Sequence, residues 1–169
     1  MKFSLPVLLA LGVSSTALTV SQASAEPITD RLYLGAGISH NVIDSPFGGR
    51  SYDAFGTTFF GGLTFDNNYQ GLMTAMEFSY SDTEDFFDNN RGDADINGFA
   101  ASLVAEKSLP EIDARLAALG RIGVDFGDDD GILLGAGASF KASEALGFRA
   151  EYINKDASNV YQLSALIHF

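Results

Sequence analysis

Leu146-Gly147-Phe148-Arg149-Ala150-Glu151-Tyr152-Ile153 alternates without a break: Leu146, Phe148, Ala150 and Tyr152 make one row, and Gly147, Arg149, Glu151 and Ile153 the other. A period of two is that of a β-strand, whose successive side chains point to opposite faces. The first row needs an apolar environment. The second carries opposite charges, which need water or partners.

The same alternation recurs along the chain in both directions. Towards the C-terminus, Tyr161, Leu163, Ala165, Ile167 and Phe169 oppose Val160, Gln162, Ser164, Leu166 and His168. Upstream, Leu134, Ala136, Ala138 and Phe140 oppose Leu133, Gly135, Gly137, Ser139 and Lys141, and Leu116, Ala118, Gly120, Ile122 and Val124 oppose Arg115, Ala117, Leu119, Arg121 and Gly123. Phe99 to Ala105 alternates with Gly98 to Glu106, Leu72 to Tyr80 with Gly71 to Ser79, Phe55 to Phe65 with Gly56 to Thr64, and Leu32 to Ile38 with Tyr33 to Ser39. These make eight strands. The links between them alternate in length. Asp66-Asn67-Asn68, Pro110-Glu111-Ile112-Asp113 and Ser143-Glu144 are tight turns of turn-forming residues, whereas about 41–54, 82–95, 125–130 and 154–158 are longer and polar.

Processing and composition narrow the class. Met1–Ala25 has one charge, Lys2, an apolar run from Leu5 to Val13 and a small-residue end at Ala23-Ser24-Ala25, the layout of a secretory signal peptide cleaved after Ala25. The remaining domain, 26–169, contains no cysteine, so disulfides are excluded. The full chain has 10 basic and 22 acidic residues; without Lys2 the net charge is −13, which repels nucleic acid. Mean hydropathy is only +0.10, and no mature segment approaches a helical membrane span. A transmembrane barrel reconciles these facts. Its strands are apolar only on alternate positions, and closure pairs every backbone group inside lipid. The expectation is an all-β, eight-stranded antiparallel up-and-down transmembrane β-barrel. A soluble lipocalin-like barrel is the alternative, with its apolar face turned inward.

Gly135-Ala-Gly-Ala-Ser-Phe-Lys-Ala-Ser-Glu-Ala-Leu-Gly-Phe-Arg-Ala-Glu-Tyr152 resembles the sixth and seventh strands of the OmpA-like eight-stranded outer-membrane barrels (the OmpA transmembrane domain and OmpX among them). The closing Tyr161–Phe169 stretch, with Tyr161, Leu163, Ala165, Ile167 and terminal Phe169, resembles the signal by which such proteins engage the barrel-assembly machinery. The resemblance implies the outer membrane of a Gram-negative cell, periplasmic termini, four extracellular loops, and a monomer among membrane lipids and lipopolysaccharide.

Candidate functional residues fall in two regions. By parity, Glu77, Glu106 and Glu151 share the lumen with Arg115, Arg121, Lys141 and Arg149, three acids against four bases. They would form either a plug of salt bridges or the gate of a narrow porin-like channel for ions or small solutes. The four long links hold thirteen acids, from Asp44 and Asp53 through Asp82, Glu84, Asp85, Asp88, Asp93 and Asp95 to Asp125, Asp128, Asp129, Asp130 and Asp156, against Arg50, Arg91 and Lys155. No cofactor is expected beyond Ca²⁺ or Mg²⁺ held loosely at these carboxylates. Asp93-Ala-Asp95-Ile-Asn97-Gly98 matches half an EF-hand loop, but its twelfth position is Val104 rather than a carboxylate. Arg91-Gly92-Asp93 spells an integrin-binding tripeptide. An enzyme acting on lipid A is disfavoured: Ser39, His40 and Asp44 are its only candidate site, and Ser39 and His40 belong to opposite faces. The expected role is envelope integrity and surface contact, including adhesion, through the acidic loops.

Overall fold

The computed structural model describes residues 28–43, 51–86 and 95–169. A short 3₁₀ turn, Ile28–Arg31, leads into eight strands: β1 (Leu32–Ile43), β2 (Tyr52–Phe65), β3 (Leu72–Thr83), β4 (Asn97–Ser108), β5 (Leu116–Gly127), β6 (Gly131–Lys141), β7 (Leu146–Asn154) and β8 (Ser158–His168). Each pairs antiparallel with the next, and β8 returns to β1, closing the barrel. The signal-peptide residues Met1–Ala25, the acids Asp44, Asp88 and Asp93, the bases Arg50 and Arg91, and the Arg91-Gly92-Asp93 tripeptide lie outside the described residues.

The register sets the geometry. Following paired residues around the wall from Leu32 through Leu63, Met76, Leu103, Ile122, Leu134, Asn154 and Asn159 returns to β1 at Val42, ten residues beyond the start. A stagger of that size over eight strands requires a strand tilt of about 40° and a backbone radius of about 8 Å, a bore that side chains just fill. The turns 66–71, 109–115 and 142–145 share one end with the termini, and the longer links occupy the other.

The alternation sorts as its period demands. Leu34, Ile38, Phe59, Phe78, Phe99, Leu103, Ile122, Leu134, Leu163 and Ile167 are exposed on the outer wall, while Ser39, Thr58, Glu77, Ser102, Arg121, Arg149, Glu151 and Gln162 are buried inside. An apolar exterior around a charged interior is the reverse of a soluble lipocalin. Strands at the loop end run further than their apolar alternation, taking in Asn41–Ile43, Tyr52–Ala54, Asp82–Thr83 and Asp125–Gly127. Backbone pairing continues there because the neighbouring strand is present, whatever the side chains' polarity.

The interior is packed as well as charged. A Cβ added at Gly62 would lie 2.1 Å from the Tyr33 ring, and one at Gly35 would lie 2.2 Å from Phe60. These two glycines are the space into which the rings turn, and Tyr33 and Phe60 then fill the bore with Ala75 and Leu166.

Candidate functional site

The lumen charges form one connected network centred on Glu77, whose side chain is fully buried. Arg149 on β7 reaches the full width of the barrel to β3, placing Nη1 2.7 Å from Glu77 Oε2. Arg121 on β5 sits between them. Its Nη1 is 2.5 Å from Glu77 Oε1, an ion pair by distance without hydrogen-bond angles, and its Nε and Nη2 donate to the two oxygens of Glu151 at 2.9 and 3.1 Å. Arg149 Nε donates to Glu106 Oε1 at 2.8 Å. Neutral groups complete the shell: Tyr33 Oη donates to Glu77 at 2.9 Å, Ser139 Oγ to Glu106 at 2.6 Å, and Arg121 to Ser102 Oγ at 3.2 Å. The Arg149 guanidinium also lies 5.1 Å from the Tyr33 ring centre. Contributions from β1, β3, β4, β5, β6 and β7 thus brace the barrel across its diameter.

Five of the seven lumen charges expected from parity meet here: Glu77, Glu106, Arg121, Arg149 and Glu151. Arg115 and Lys141 do not. Arg115 precedes β5; its side chain is 59% exposed, paired with Asp113 at 3.1 Å and stacked over Phe140. Side-chain and backbone hydrogen bonds from Arg115, three in all, and its charge hold the Asp113 carboxyl below its ordinary range. Lys141 is the last residue of β6 and is exposed at the terminus-end mouth. Parity places both on the inner face, but depth along a tilted strand places them at the rim. The deep network therefore has three acids and two bases. Its unbalanced member is Glu106, which borders a vestibule of about 450 Å³ that Lys141 and His168 also line.

Two groups expected in the surface loops are instead inside. Asp125 faces the lumen from β5, and Lys155 Nζ meets its Oδ2 at 2.7 Å with both side chains largely buried. Asp125 continues the inward parity of Arg121 and Gly123, so the alternation carried the signal for it. Asp129 is buried as well; it accepts from Ala157 N at 2.8 Å and from Ser158 Oγ, tying the β5–β6 link to the β7–β8 link. Asp128 accepts from Asn97 N at 3.0 Å. Asn97 and Gly98, part of the half EF-hand match, are strand residues of β4. Among the described residues, no three potential ligands are grouped to hold a metal ion.

Between the network and the loop end, the enclosed space is about 30 Å³, lined by Ser39, Asn41, Thr58, Ser81, Lys155 and Gln162 among others. That volume holds on the order of one or two waters. Ser39 is buried there, accepting from Asn41 Nδ2 at 2.9 Å, while His40 lies on the outer wall beside Phe55.

No protein-family model matches the chain, and no curated protein does. Solved structures do. Neisserial surface protein A (NspA) matches with a TM-score of 0.56 at 15% identity, over 82% of this chain and 97% of that one. Ail, the attachment invasion locus protein of Yersinia pestis, matches at 0.57 and 15%, over 82% and 97%. A de novo designed transmembrane β-barrel matches at 0.51 and 14%, over 86% and 100%. Designed and natural barrels alike share this architecture, so the match carries the fold and leaves function to the residues. The protein has the OmpA- and OmpX-like fold of the eight-stranded outer-membrane β-barrels.

Proposed function

We propose that the protein is a non-conducting, non-enzymatic outer-membrane scaffold that presents acidic loops at the cell surface and contributes to envelope integrity. The observation that carries this reading is the cross-lumen network; among the described residues, the cavity between it and the loop end is about 30 Å³. Charges paired on every side at 2.5 to 2.9 Å leave no row of sites along which an ion could step. The termini face the periplasm and the four long links face outward. Their exposed carboxylates include Asp82, Glu84, Asp128, Asp130 and Asp156. Mg²⁺ or Ca²⁺ bridges such groups to lipopolysaccharide phosphates. Tyr161, Leu163, Ala165, Ile167 and Phe169 engage the assembly machinery during biogenesis. The fold shared with Ail, an attachment invasion locus protein, is compatible with a surface role.

Planar-bilayer recording tests the reading: the wild type is silent. Steady conductance that Glu77→Ala or Arg149→Ala abolishes or enlarges would establish the second reading, a narrow channel. The feature favouring the channel is the 450 Å³ vestibule at the terminus end, which Glu106, Lys141 and His168 line. Deleting residues 83–94 lowers binding to host cells or matrix; unchanged binding counts against that loop. Mass spectrometry of lipid A finds one acyl pattern with and without the protein, and a changed pattern would reinstate an enzyme.

A further inference from the structure

The vestibule at the terminus end holds charges that the lumen network leaves unsettled. Of the three network carboxylates, Glu77 and Glu151 have fully buried side chains, and only Glu106, 13% exposed, lines this space of about 450 Å³. Its Oε1 accepts from Arg149 Nε at 2.8 Å and its Oε2 from Ser139 Oγ at 2.6 Å. A carboxylate offers about four acceptor positions, so about two remain. Arg149 divides its charge between Glu106 and Glu77. With three acids to two bases behind it, Glu106 presents the network's excess negative charge to the cavity. A nearly buried charge without a full counter-ion is costly.

The free base of the same cavity is Lys141, which has no ion pair with a described residue. Ser139 and Lys141 are successive inward residues of β6, so Lys141 stands about 7 Å nearer the mouth than the contact between Ser139 and Glu106. Apolar side chains flank both charges. Met73 is the register partner of Glu106, and Leu166 lies across Gly147 from Lys141, 3.3 Å from where a Cβ at Gly147 would sit. The remaining charged groups decide the ligand's sign. Arg115 is engaged by Asp113, and Asp30 and Glu144 are exposed acids. An anion would meet one free base against Glu106, Asp30 and Glu144, and a plain cation would leave Lys141 beside it unmatched. A ligand with its ammonium deep and its carboxylate near the mouth meets neither objection. His168, its ring 5.3 Å from that of Tyr33, completes the wall.

We propose that the vestibule binds a short zwitterionic peptide with apolar side chains: its terminal ammonium donates to Glu106, and its terminal carboxylate accepts from Lys141. Two extended residues span about 7 Å, the separation of the two charges along the wall, so a dipeptide fits where a single amino acid is too short. Its side chains lie against Met73 and Leu166. The lumen network stands behind Glu106, so the peptide enters and leaves by the terminus-end mouth. The site itself stands on the cavity alone; that its peptides come from the periplasm rests on the orientation given under Proposed function.

The test is NMR of the full chain folded in micelles, with labelled methionine methyls, titrated with leucyl-leucine. Met73 lines the vestibule and Met76 is exposed on the outer wall, so the first reports the site and the second reports partition into detergent. The Met73 signal shifts saturably and the Met76 signal stays. N-acetylation of the peptide, which removes the ammonium, weakens binding about tenfold, the size of a hydrogen bond to a charged group. Glu106→Gln weakens it to the same extent. Lys141→Ala weakens it about threefold, as suits an exposed contact, and leaves binding of leucyl-leucine amide unchanged. Heat-dependent gel mobility verifies folding, and the acetylated and amidated peptides decide the matter on the wild type if a variant does not fold. No saturable shift at Met73, or equal affinity for the acetylated peptide, overturns the site. Tighter binding to Lys141→Ala than to wild type overturns it too, because Lys141 would then be the counter-ion of Glu106. A silent bilayer with no peptide bound removes this proposal alone, and steady conductance with peptide bound removes the non-conducting reading alone.

Discussion

Removing Glu77 takes the centre out of the lumen network, and the cost follows from its contacts. In Glu77→Ala, Arg149 loses a partner at 2.7 Å, Arg121 loses one at 2.5 Å, and Tyr33 Oη loses its acceptor. Each ion pair is worth roughly 4 kcal/mol at 4 Å and an effective dielectric of 20, a gross loss of roughly 8 kcal/mol. The Glu77 carboxylate no longer has to be desolvated, which returns several kcal/mol, and Glu106 and Glu151 still neutralise the two arginines. The net destabilisation is about 3–5 kcal/mol, the range seen when one member of a buried pair is removed. Glu77→Gln keeps the shape and an acceptor for Tyr33 and loses about 2–3 kcal/mol. Urea titration of folding into phospholipid vesicles, read by gel mobility, measures both. The expected shift for the alanine variant is at least about a hundredfold in the folding equilibrium. A loss below about 1 kcal/mol would refute the reasoning, because the bracing across the barrel would then contribute nothing beyond what water supplies.

Glycine positions give a paired prediction: Gly62→Ala, directed at the Tyr33 ring, costs about 1–3 kcal/mol by overpacking, while Gly120→Ala, with nothing within 4 Å, is near neutral in the same assay. Asp129→Ala removes the acceptor for Ala157 N and Ser158, so hydrogen exchange at Ala157 accelerates by about tenfold with the barrel's overall unfolding unchanged. Phe169→Ala slows assembly by the barrel-assembly machinery in reconstituted membranes while leaving unassisted folding into detergent intact; equal assembly rates would separate this C-terminus from that role.

Strand alternation alone specified much of this molecule. Wherever one face is apolar and the other is not, a shift of one residue would expose every side chain to the wrong medium. Arg149 and Glu151 therefore face inward from their sequence neighbours alone, and so do Glu77, Glu106 and Arg121. The links with turn-forming residues sort by length on the same grounds. What parity leaves open is height, because residues two apart on one strand are equivalent to it. Arg115 and Lys141 share the inner parity of Arg121 and Ser139, yet lie at the rim; Asp125 and Lys155, polar enough to read as loop, lie inside. Only closure decides such cases. The ten-residue stagger tilts each strand, brings β7 opposite β3, and so makes Arg149 and Glu77 partners although 72 positions separate them. The same closure lines up Tyr152, Tyr161, His40 and Phe55 from four strands into one shelf, a neighbourhood that no stretch of the chain contains.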